Sequence, residues 1–234
     1  MRNHLTHAIE DYLKTIYDLS IIHGRVSTTQ LANSLDITPA SVTGMLQRLA
    51  VSQPPLVDYQ KHRGVVLTIE GEKVALEILR THRLLELFLQ KTLGYSWDQV
   101  DAEADKLEHV ISGEFEERIA QALGDPTHDP HGDPIPTRDL EMPSHAKLCL
   151  CELVPGQRGT IQRVRDHDAE LLRYLSERGV VPKAAFKVVE HSPFDNNLTL
   201  DIEGQKNPVV LGPRVVHQIF VETDEENYLT SEAA

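Results

Sequence analysis

Three residues that can bind a metal ion stand close together in the stretch DAEADKLEHVIS, residues 101–112. Asp105, Glu108 and His109 follow the spacing i, i+3, i+4, which would place their side chains on one face of a helix. Carboxylates at this spacing repel each other by roughly a few tenths of a kcal/mol, and a divalent cation would turn that repulsion into attraction. A solvated, charged helix face would carry the same residues, so the motif alone leaves both interpretations open.

Acidic and imidazole groups elsewhere in the chain strengthen the metal interpretation. Asp11 follows Glu10 on the first predicted helix, beside apolar residues that should face inward. His82 and Glu86 have the spacing i, i+4 on another predicted helix. Burying such groups without partners would be costly, and a divalent cation would remove that cost. Because the donors are mainly oxygen with one imidazole and no thiolate, they favour Mn²⁺ or Fe²⁺ over Zn²⁺ or Cu⁺.

The N-terminal part of the chain predicts a helix-turn-helix. Helical signals, either apolar spacing or capping residues, mark residues 7–22, 27–37 and 38–50. Thr38 is a suitable N-cap, and Pro39 stands at the first helical position, where proline is tolerated. Two short helices joined by a tight turn, the second rich in small polar residues, are typical of this motif.

The stretch LVDYQKHRGVVLT, residues 56–68, predicts two β-strands around the basic turn KHRG, which would be a wing. Such a tip suits contact with phosphate or with the minor groove. Duplex DNA is therefore favoured over a winged helix used for protein contacts. The candidate DNA-binding residues are Thr38, Pro39, Ser41, Thr43, Gln47 and Arg48 on the helix and Lys61, His62 and Arg63 on the wing. Because the helix residues are short and mostly neutral, specificity would depend partly on methyl contacts and DNA shape.

In the rest of the chain, the predicted secondary structure changes from helical to mainly β near residue 145. Helices are predicted over about residues 70–90 and, after an N-cap at Ser96, over residues 97–123. Residues 125–144 contain five prolines and are predicted to form a linker or an ordered loop. Short β-like runs then enclose one helix, which predicts a small β-barrel, and the last ten residues are predicted to be a disordered tail.

Composition sets further limits. Of the 234 residues, 40% are hydrophobic and 25% are charged, as in globular proteins. No run of about 18 apolar residues and no secretory signal is found, so no membrane partner is expected. The net charge of −13 is uneven: residues 1–75 hold seven Lys/Arg and seven Asp/Glu, which leaves sixteen and twenty-nine in the remainder. Cys149 and Cys151, one residue apart, are predicted to pack in the core without a disulfide, in a reducing, cytoplasmic setting.

In this order, the motifs resemble the diphtheria-toxin-repressor family of metal-dependent transcriptional regulators, in its long three-domain, manganese-responsive form. The segments that carry the resemblance are EDYLKTIYDL, P-x-S-V-T, G-V-V-L-T, T-H-R-L-L-E-x-F-L and E-x-D-K-L-E-H-V. The resemblance implies a homodimer on a double-stranded palindromic operator, no catalytic activity, and a mainly α N-terminal part followed by a small SH3-like β-barrel, α+β as a whole. The implied domains are a winged helix-turn-helix over 1–73, a helical metal-binding and dimerisation domain with the Pro-rich linker over 74–142, an SH3-like domain over 143–224 and a tail over 225–234.

The resemblance also implies which residues bind metal. The primary, activating site would consist of Asp11, Asp105, Glu108 and His109. Iron-responsive members have methionine and cysteine where this chain has Asp11 and Asp105, so the implied cofactor is Mn(II), with Fe(II) as the alternative. Short manganese regulators have a second carboxylate where Lys14 stands, which argues against a closely spaced binuclear site.

A second site is implied by the same resemblance. It would use His82 and Glu86, with Asp129, His131 and Asp166 as the candidate ligands from the linker and the SH3-like domain. Asp168 is instead expected to cap a helix. Asp101 stands where some iron-responsive members have a ligand histidine, and its role is left open.

The predicted function is a metal-dependent DNA-binding regulator, a repressor of metal-homeostasis genes such as those for metal uptake. Metal would join the DNA-binding and dimerisation helices and so fix the orientation of the recognition helices. The alternatives are a metal-dependent activator and a winged-helix regulator that senses a small organic ligand. A metal-dependent hydrolase is disfavoured because no nucleophile–base pair is found.

Overall fold

The computed structural model describes residues 5–165 and 168–224 of the chain. The chain divides into two compact units, each built from separated segments. Unit 1 comprises Met1–His82, Asp105–Glu116 and Pro136–Met142, and unit 2 comprises Arg83–Ala104, Glu117–Ile135 and Pro143–Ala234. The predicted tail and Asp166 lie outside the described residues, and the four predicted domain limits stay a prediction.

The first elements of unit 1 form the predicted winged helix-turn-helix. They are α1 His7–His23, α2 Thr28–Ser34, α3 Pro39–Ala50, β1 Val57–Gln60 and β2 Gly64–Leu67. The capping signals act as expected: Ser27 and Gln30 cap α2 reciprocally, and the Thr38 side chain accepts a hydrogen bond from Ser41 N at the start of α3.

The two wing strands pair antiparallel, and the unit closes over a small apolar core. The strand register runs from Val57 opposite Leu67 to Gln60 opposite Gly64. The core contains the buried side chains Leu13, Ile16, Val26, Leu31, Val42, Leu46, Val65, Val74 and Ile78. These residues come from α1, α2, α3, β2, the segment before α2 and the next helix, so the core fixes the recognition helix α3 against α1.

The helices after the wing differ from the prediction. Helix α4 runs Ile69–Leu93, close to the predicted limits. The predicted helix over 97–123 is instead two helices, α5 Val100–Leu107 and α6 Gly113–Ala122. Ser112 causes the break, because its side chain accepts a hydrogen bond from Phe115 N and its carbonyl accepts one from Glu116 N, so a new helix begins there. Glu108 and His109 therefore lie in the turn after α5, and the expected single helical stripe with Asp105 is wrong.

Unit 2 contains the predicted small β domain. Its strands are β3 Leu148–Cys149, β4 Arg158–Val164, β5 Ala185–His191, β6 Leu198–Ile202, β7 Val209–Leu211 and β8 Ile219–Thr223, with helices α7 Ala169–Glu177 and α8 Pro213–Val216. They form one antiparallel sheet in the order β3-β8-β4-β5-β6-β7. Alternate residues of the strands face a core that also includes Leu172 and Leu175 from α7.

The cysteine prediction is wrong in one respect. Cys149 is buried as expected, but it forms a disulfide with Cys151. The reason is local geometry: a 3₁₀ turn at Leu150–Glu152 replaces the expected strand and brings the two Cα atoms to 5.1 Å, whereas two residues along a strand are about 6.6 Å apart.

Within the described ranges, helices are too short or too polar to cross a lipid bilayer.

A glycine at the start of α4 generates a stability prediction. A Cβ at Gly71 would lie 1.9 Å from the carbonyl oxygen of Leu56, which itself accepts a hydrogen bond from Thr68 N. Gly71→Ala should therefore destabilise the fold by about 1–3 kcal/mol, the usual cost of overpacking. Urea unfolding followed by circular dichroism measures the change.

Gly44→Ala is the matched control, since this glycine lies in α3 and a Cβ there would meet nothing within 4 Å. Alanine should raise helix stability by about 0.5–1 kcal/mol at such a position. Similar unfolding midpoints for the two variants would contradict the close approach of α4 to Leu56.

Candidate metal centre

Asp11, Glu108 and His109 come together in unit 1, and we call them the first cluster. One ligand atom from each lies within 4.8 Å of the others. His109 Nε2 is 2.9 Å from Asp11 Oδ1 and 3.4 Å from Glu108 Oε1. Asp11 is on α1, and the other two lie in the turn after α5. The helix-ending turn therefore brings a carboxylate and an imidazole to α1 together.

The buried Glu10 orients the imidazole of the first cluster. His109 Nδ1 donates a hydrogen bond to Glu10 Oε2 at 2.6 Å, and the ring of His7 stacks on that of His109 with 4.7 Å between centroids. A proton held on Nδ1 leaves the Nε2 lone pair facing Asp11 and Glu108. The sequence analysis noted Glu10 only as the neighbour of Asp11; an acidic residue among inward-facing positions was the available signal.

Asp105, the fourth predicted primary ligand, is bound by a lysine. Lys14 Nζ donates to Asp105 Oδ1 at 2.7 Å and to both Glu108 oxygens at 2.9 Å, and it lies 3.3 Å from His82 Nδ1. His82, assigned by the resemblance to the second site, has its Nδ1 2.6 Å from Glu108 Oε2. Asp105, Glu108 and His82 together could also hold a metal ion, and the Lys14 ammonium lies among their ligand atoms.

The charges of unit 1 keep Glu108 ionised despite its complete burial. Burial alone would raise the pKa of Glu108, but hydrogen bonding and charge from His82, together with Lys14, lower it. Burial would lower the pKa of Lys14, yet Glu108 and Asp105 raise it. The pKa of Asp11 is raised, mainly by burial, although His109 and Lys14 oppose the change.

The first cluster fits a hard divalent cation. Its donors are two carboxylates and one imidazole, the set that Mn²⁺ and Fe²⁺ accept, and it contains no thiolate. Glu108 is 0% exposed and the His109 side chain 9%, whereas the Asp11 side chain is 44% exposed. An ion would therefore meet buried donors on one side and solvent on the side of Asp11.

A second cluster in unit 2 consists of Glu86, Asp129 and His131, all buried. His131 Nδ1 is 3.5 Å from Glu86 Oε1, and His131 Nε2 donates to the Trp97 carbonyl at 2.7 Å. Asp129 Oδ1 accepts backbone hydrogen bonds from His131 and Asp133. The structure thus brings three of the predicted second-site residues near one another, with the Nδ1 lone pair of His131 facing the carboxylates.

The remaining second-site candidate, Asp166, and the expected helix cap, Asp168, have different outcomes. Asp166 lies outside the described residues. Asp168 caps α7, as expected, by accepting hydrogen bonds from Glu170 N and Leu171 N.

Buried acids dominate the second cluster. Burial raises the pKa of Asp129 well above its usual value, and the charges of Glu86 and Asp133 raise it further. Arg83 Nε lies 3.8 Å from Asp129 Oδ2, which partly compensates the charge. A cation bound here would compensate it further.

The predicted DNA-binding residues lie on α3 and on the wing tip. The side chain of Thr43 is half-buried, and its hydroxyl donates to the Pro39 carbonyl at 2.9 Å, so it offers a methyl group more readily than a hydrogen bond. That the predicted residues contact DNA stays a prediction. Apart from Thr43, all the predicted DNA-binding residues are exposed: Thr38, Pro39, Ser41, Gln47, Arg48, Lys61, His62 and Arg63.

Comparison with protein families gives three matches along the chain. Residues 4–65 match the model described as iron dependent repressor, N-terminal DNA binding domain. Residues 68–137 match iron dependent repressor, metal binding and dimerisation domain. Residues 148–223 match the FeoA domain. Asp11 thus belongs to the first of these segments, and Glu108 and His109 belong to the second.

Known relatives cover almost the whole chain. The iron-dependent repressor IdeR of Mycobacterium leprae is 34% identical over 94% of this chain and 99% of its own length. The diphtheria toxin repressor of Corynebacterium jeikeium is 31% identical over 58% of this chain and 55% of its own length. A solved manganese-dependent transcriptional repressor in complex with manganese superposes with a TM-score of 0.85 at 35% identity, covering 92% of this chain and 100% of that one. The predicted family is therefore confirmed, and the chain belongs to the iron-dependent repressor family of metal-sensing, DNA-binding transcriptional regulators.

Proposed function

We propose that this chain is a Mn(II)-activated repressor that binds a palindromic operator as a homodimer and controls genes for metal uptake. The observation that carries the proposal is the contact between Asp11 and His109, at 2.9 Å. It joins a segment that matches a DNA-binding domain to one that matches a metal-binding and dimerisation domain. Because its target is DNA, the regulator would act in the cytoplasm.

The identity of the donors supports Mn(II) over Fe(II). Both positions that distinguish the metal classes, Asp11 and Asp105, carry hard carboxylate oxygens. The solved relative with manganese and the solved manganese regulator SloR, with a TM-score of 0.76 at 29% identity, agree with this choice. Fe(II) is the alternative, since the relative IdeR is iron-dependent.

The residues of the first cluster would couple metal binding to DNA binding. Helix α1 contacts Glu108 through Lys14 and His109 through Glu10, and both α1 residues are largely buried. Asp11, on the same helix, is the more exposed ligand. A divalent cation, when bound, supplies positive charge that holds Asp11 to the other two ligands. The orientation of the helix-turn-helix would then be restricted, which favours binding to two successive major grooves.

The size of this coupling can be bounded. An increase in DNA affinity of about 100-fold needs about 2.7 kcal/mol of differential metal binding between the two states. By reciprocity, DNA should tighten metal binding by the same factor.

We also propose that the second cluster is a second metal site. Its support is the burial of two carboxylates and one imidazole with their ligand atoms within 4.8 Å of one another. Burial of three such groups is costly unless charge is compensated. The proposal includes Asp166 as a further ligand of this site.

Asp11→Ala tests the coupling directly. The variant should fold normally and lose most of the Mn(II)-dependent gain in DNA affinity, because a bound ion would no longer join α1 to Glu108 and His109 through Asp11. Fluorescence anisotropy on a labelled operator, with and without Mn(II) at one fixed salt concentration, measures the effect. Asp18→Ala, an exposed position on the same helix, is the control and should keep the gain. An intact gain in Asp11→Ala would refute the proposal.

Lys14→Glu tests the role of the internal cation. Replacing the ammonium by a carboxylate among Asp105, Glu108 and His82 should create room for one more Mn(II) ion per chain. Equilibrium dialysis gives the stoichiometry, and electron paramagnetic resonance would show coupling between two adjacent Mn(II) ions. Lys73→Glu, an exposed position on α4, should leave the stoichiometry unchanged. An unaltered stoichiometry in Lys14→Glu would show that Lys14 does not exclude a second ion.

Glu10→Ala tests the orienting hydrogen bond. Loss of the acceptor for His109 Nδ1 should weaken Mn(II) binding by roughly 10–100-fold, as is typical for partners of metal-bound histidines. Glu10→Gln, whose amide oxygen can still accept, should weaken it less, and the exposed control Glu72→Ala should not weaken it. Isothermal titration calorimetry measures affinity, and ¹⁵N NMR of the metal-free chain reports which nitrogen of His109 carries the proton. A normal tautomer and affinity in Glu10→Ala would rule this role out.

A further inference from the structure

Unit 2 contains a groove of about 1450 Å³. Its walls come from the C-terminal part of α4, the loop around residues 127–132, the segment 144–148 and the strands β4 and β8. Small-molecule sites usually occupy roughly 300–1,000 Å³, so the groove has room for an organic ligand with its water.

The lining of the groove is cationic although the chain as a whole is acidic. Lys91, Lys147 and Lys183 all line it, and within the described part of the chain none of them forms an ion pair. His128 and His145 line it as well.

The carboxylates of the lining do not compensate these lysines. Glu222 Oε2 accepts a hydrogen bond from Gln162 at 3.1 Å. Asp129 Oδ1 accepts backbone hydrogen bonds from His131 at 2.8 Å and Asp133 at 2.9 Å. Three ammonium groups in a chain of net charge −13 are thus left for a ligand.

The side chain of Trp97 gives independent support for a ligand in the groove. Its side chain lines the groove and is only 7% exposed, and among the described residues its Nε1 has no hydrogen-bond partner. Indole N–H can only donate, as can lysine ammonium. The groups that await a partner are therefore donors, and the matching ligand must be rich in acceptors.

The backbone conformation of Lys183 also supports a ligand site in the groove. Its φ is +75°, in the left-handed region that strongly favours glycine. A lysine here carries conformational strain that glycine would not, and strain of this kind clusters at functional sites. The strained residue is one of the three lysines of the groove.

We propose that this groove binds a small organic polyanion, a molecule with two or more carboxylate or phosphate groups. The lysines and the Trp97 N–H would bind its oxygens, and the apolar wall of Leu87, Val181 and Val221 would contact its organic frame. The inference goes beyond metal-dependent repression and does not depend on it.

The chain contains a single tryptophan, so fluorescence excited at the long-wavelength edge, where tyrosine does not absorb, reports on Trp97 in the groove. The metal-free full chain is titrated with citrate and, in a separate series, with ATP, and calorimetry repeats both series. We expect a saturable change in Trp97 emission with a Kd below about 1 mM for at least one probe. Citrate binding would identify carboxylate recognition, and ATP binding would identify phosphate recognition. No saturable response to either probe up to about 10 mM would overturn the proposal.

Variants separate a specific site from a general effect of charge. Lys147→Glu should weaken binding by roughly tenfold or more, the loss expected for a charge-assisted hydrogen bond. Lys206→Glu has the same change of charge on an exposed turn outside the groove and should leave binding within about twofold. Equal weakening by both would overturn the groove as the site.

Lys183→Gly tests whether a loss of anion binding could be caused by misfolding. It removes one ammonium group and the strained φ, so it should weaken anion binding while raising the urea midpoint of unfolding. Full affinity in both Lys183→Gly and Lys147→Glu would also contradict the proposal.

Discussion

Complete burial of the Glu108 carboxylate is the constraint on which the metal centre depends. A carboxylate without solvent must be compensated by charge and hydrogen bonds, or it protonates. Here the compensation comes from Lys14 and His82. Since Lys14 belongs to α1 and Glu108 to the turn after α5, the same interaction that keeps Glu108 ionised holds these two elements together before any metal binds.

The two clusters compensate buried acid in different ways. In the first, the Lys14 ammonium donates directly to both oxygens of Glu108, at 2.9 Å. In the second, Arg83 Nε lies 3.8 Å from Asp129 Oδ2, which is beyond hydrogen-bond distance. The first cluster is thus largely preorganised, with Asp11 as its more exposed ligand.

Local signals in the sequence were sufficient for the winged helix-turn-helix. Ser27 and Thr38 act through residues three positions away, and Pro39 acts through its own restricted φ at the first helical position. Such effects can be predicted without tertiary structure. The end of α5 could not be placed in the same way, because its residues continue a helical pattern. Ser112 followed by Gly113 was the one local sign of a new helix start, and the continuous pattern outweighed it.

Parts of the metal centre depend on contacts between distant residues. Glu10 and His109 are 99 positions apart, so neither spacing nor periodicity could reveal that one orients the other. Lys14 was noted as a departure from related regulators, but its bonds to Asp105 and Glu108 required the packing of α1. The disulfide was missed because it depends on a 3₁₀ turn within an apparently strand-like run.

The segmental composition of unit 1 has a consequence for dissecting this protein. Its polypeptide leaves the unit within α4 and returns at Asp105–Glu116 and again at Pro136–Met142. A single cut after the wing, or anywhere in α4, would therefore separate Asp11 and Lys14 from Glu108 and His109. Exchanging the N-terminal part with that of a relative would likewise break a matched set of side chains. The part of the protein that must be kept together consists of three segments of the chain. Recombination or fragment design must therefore include all three.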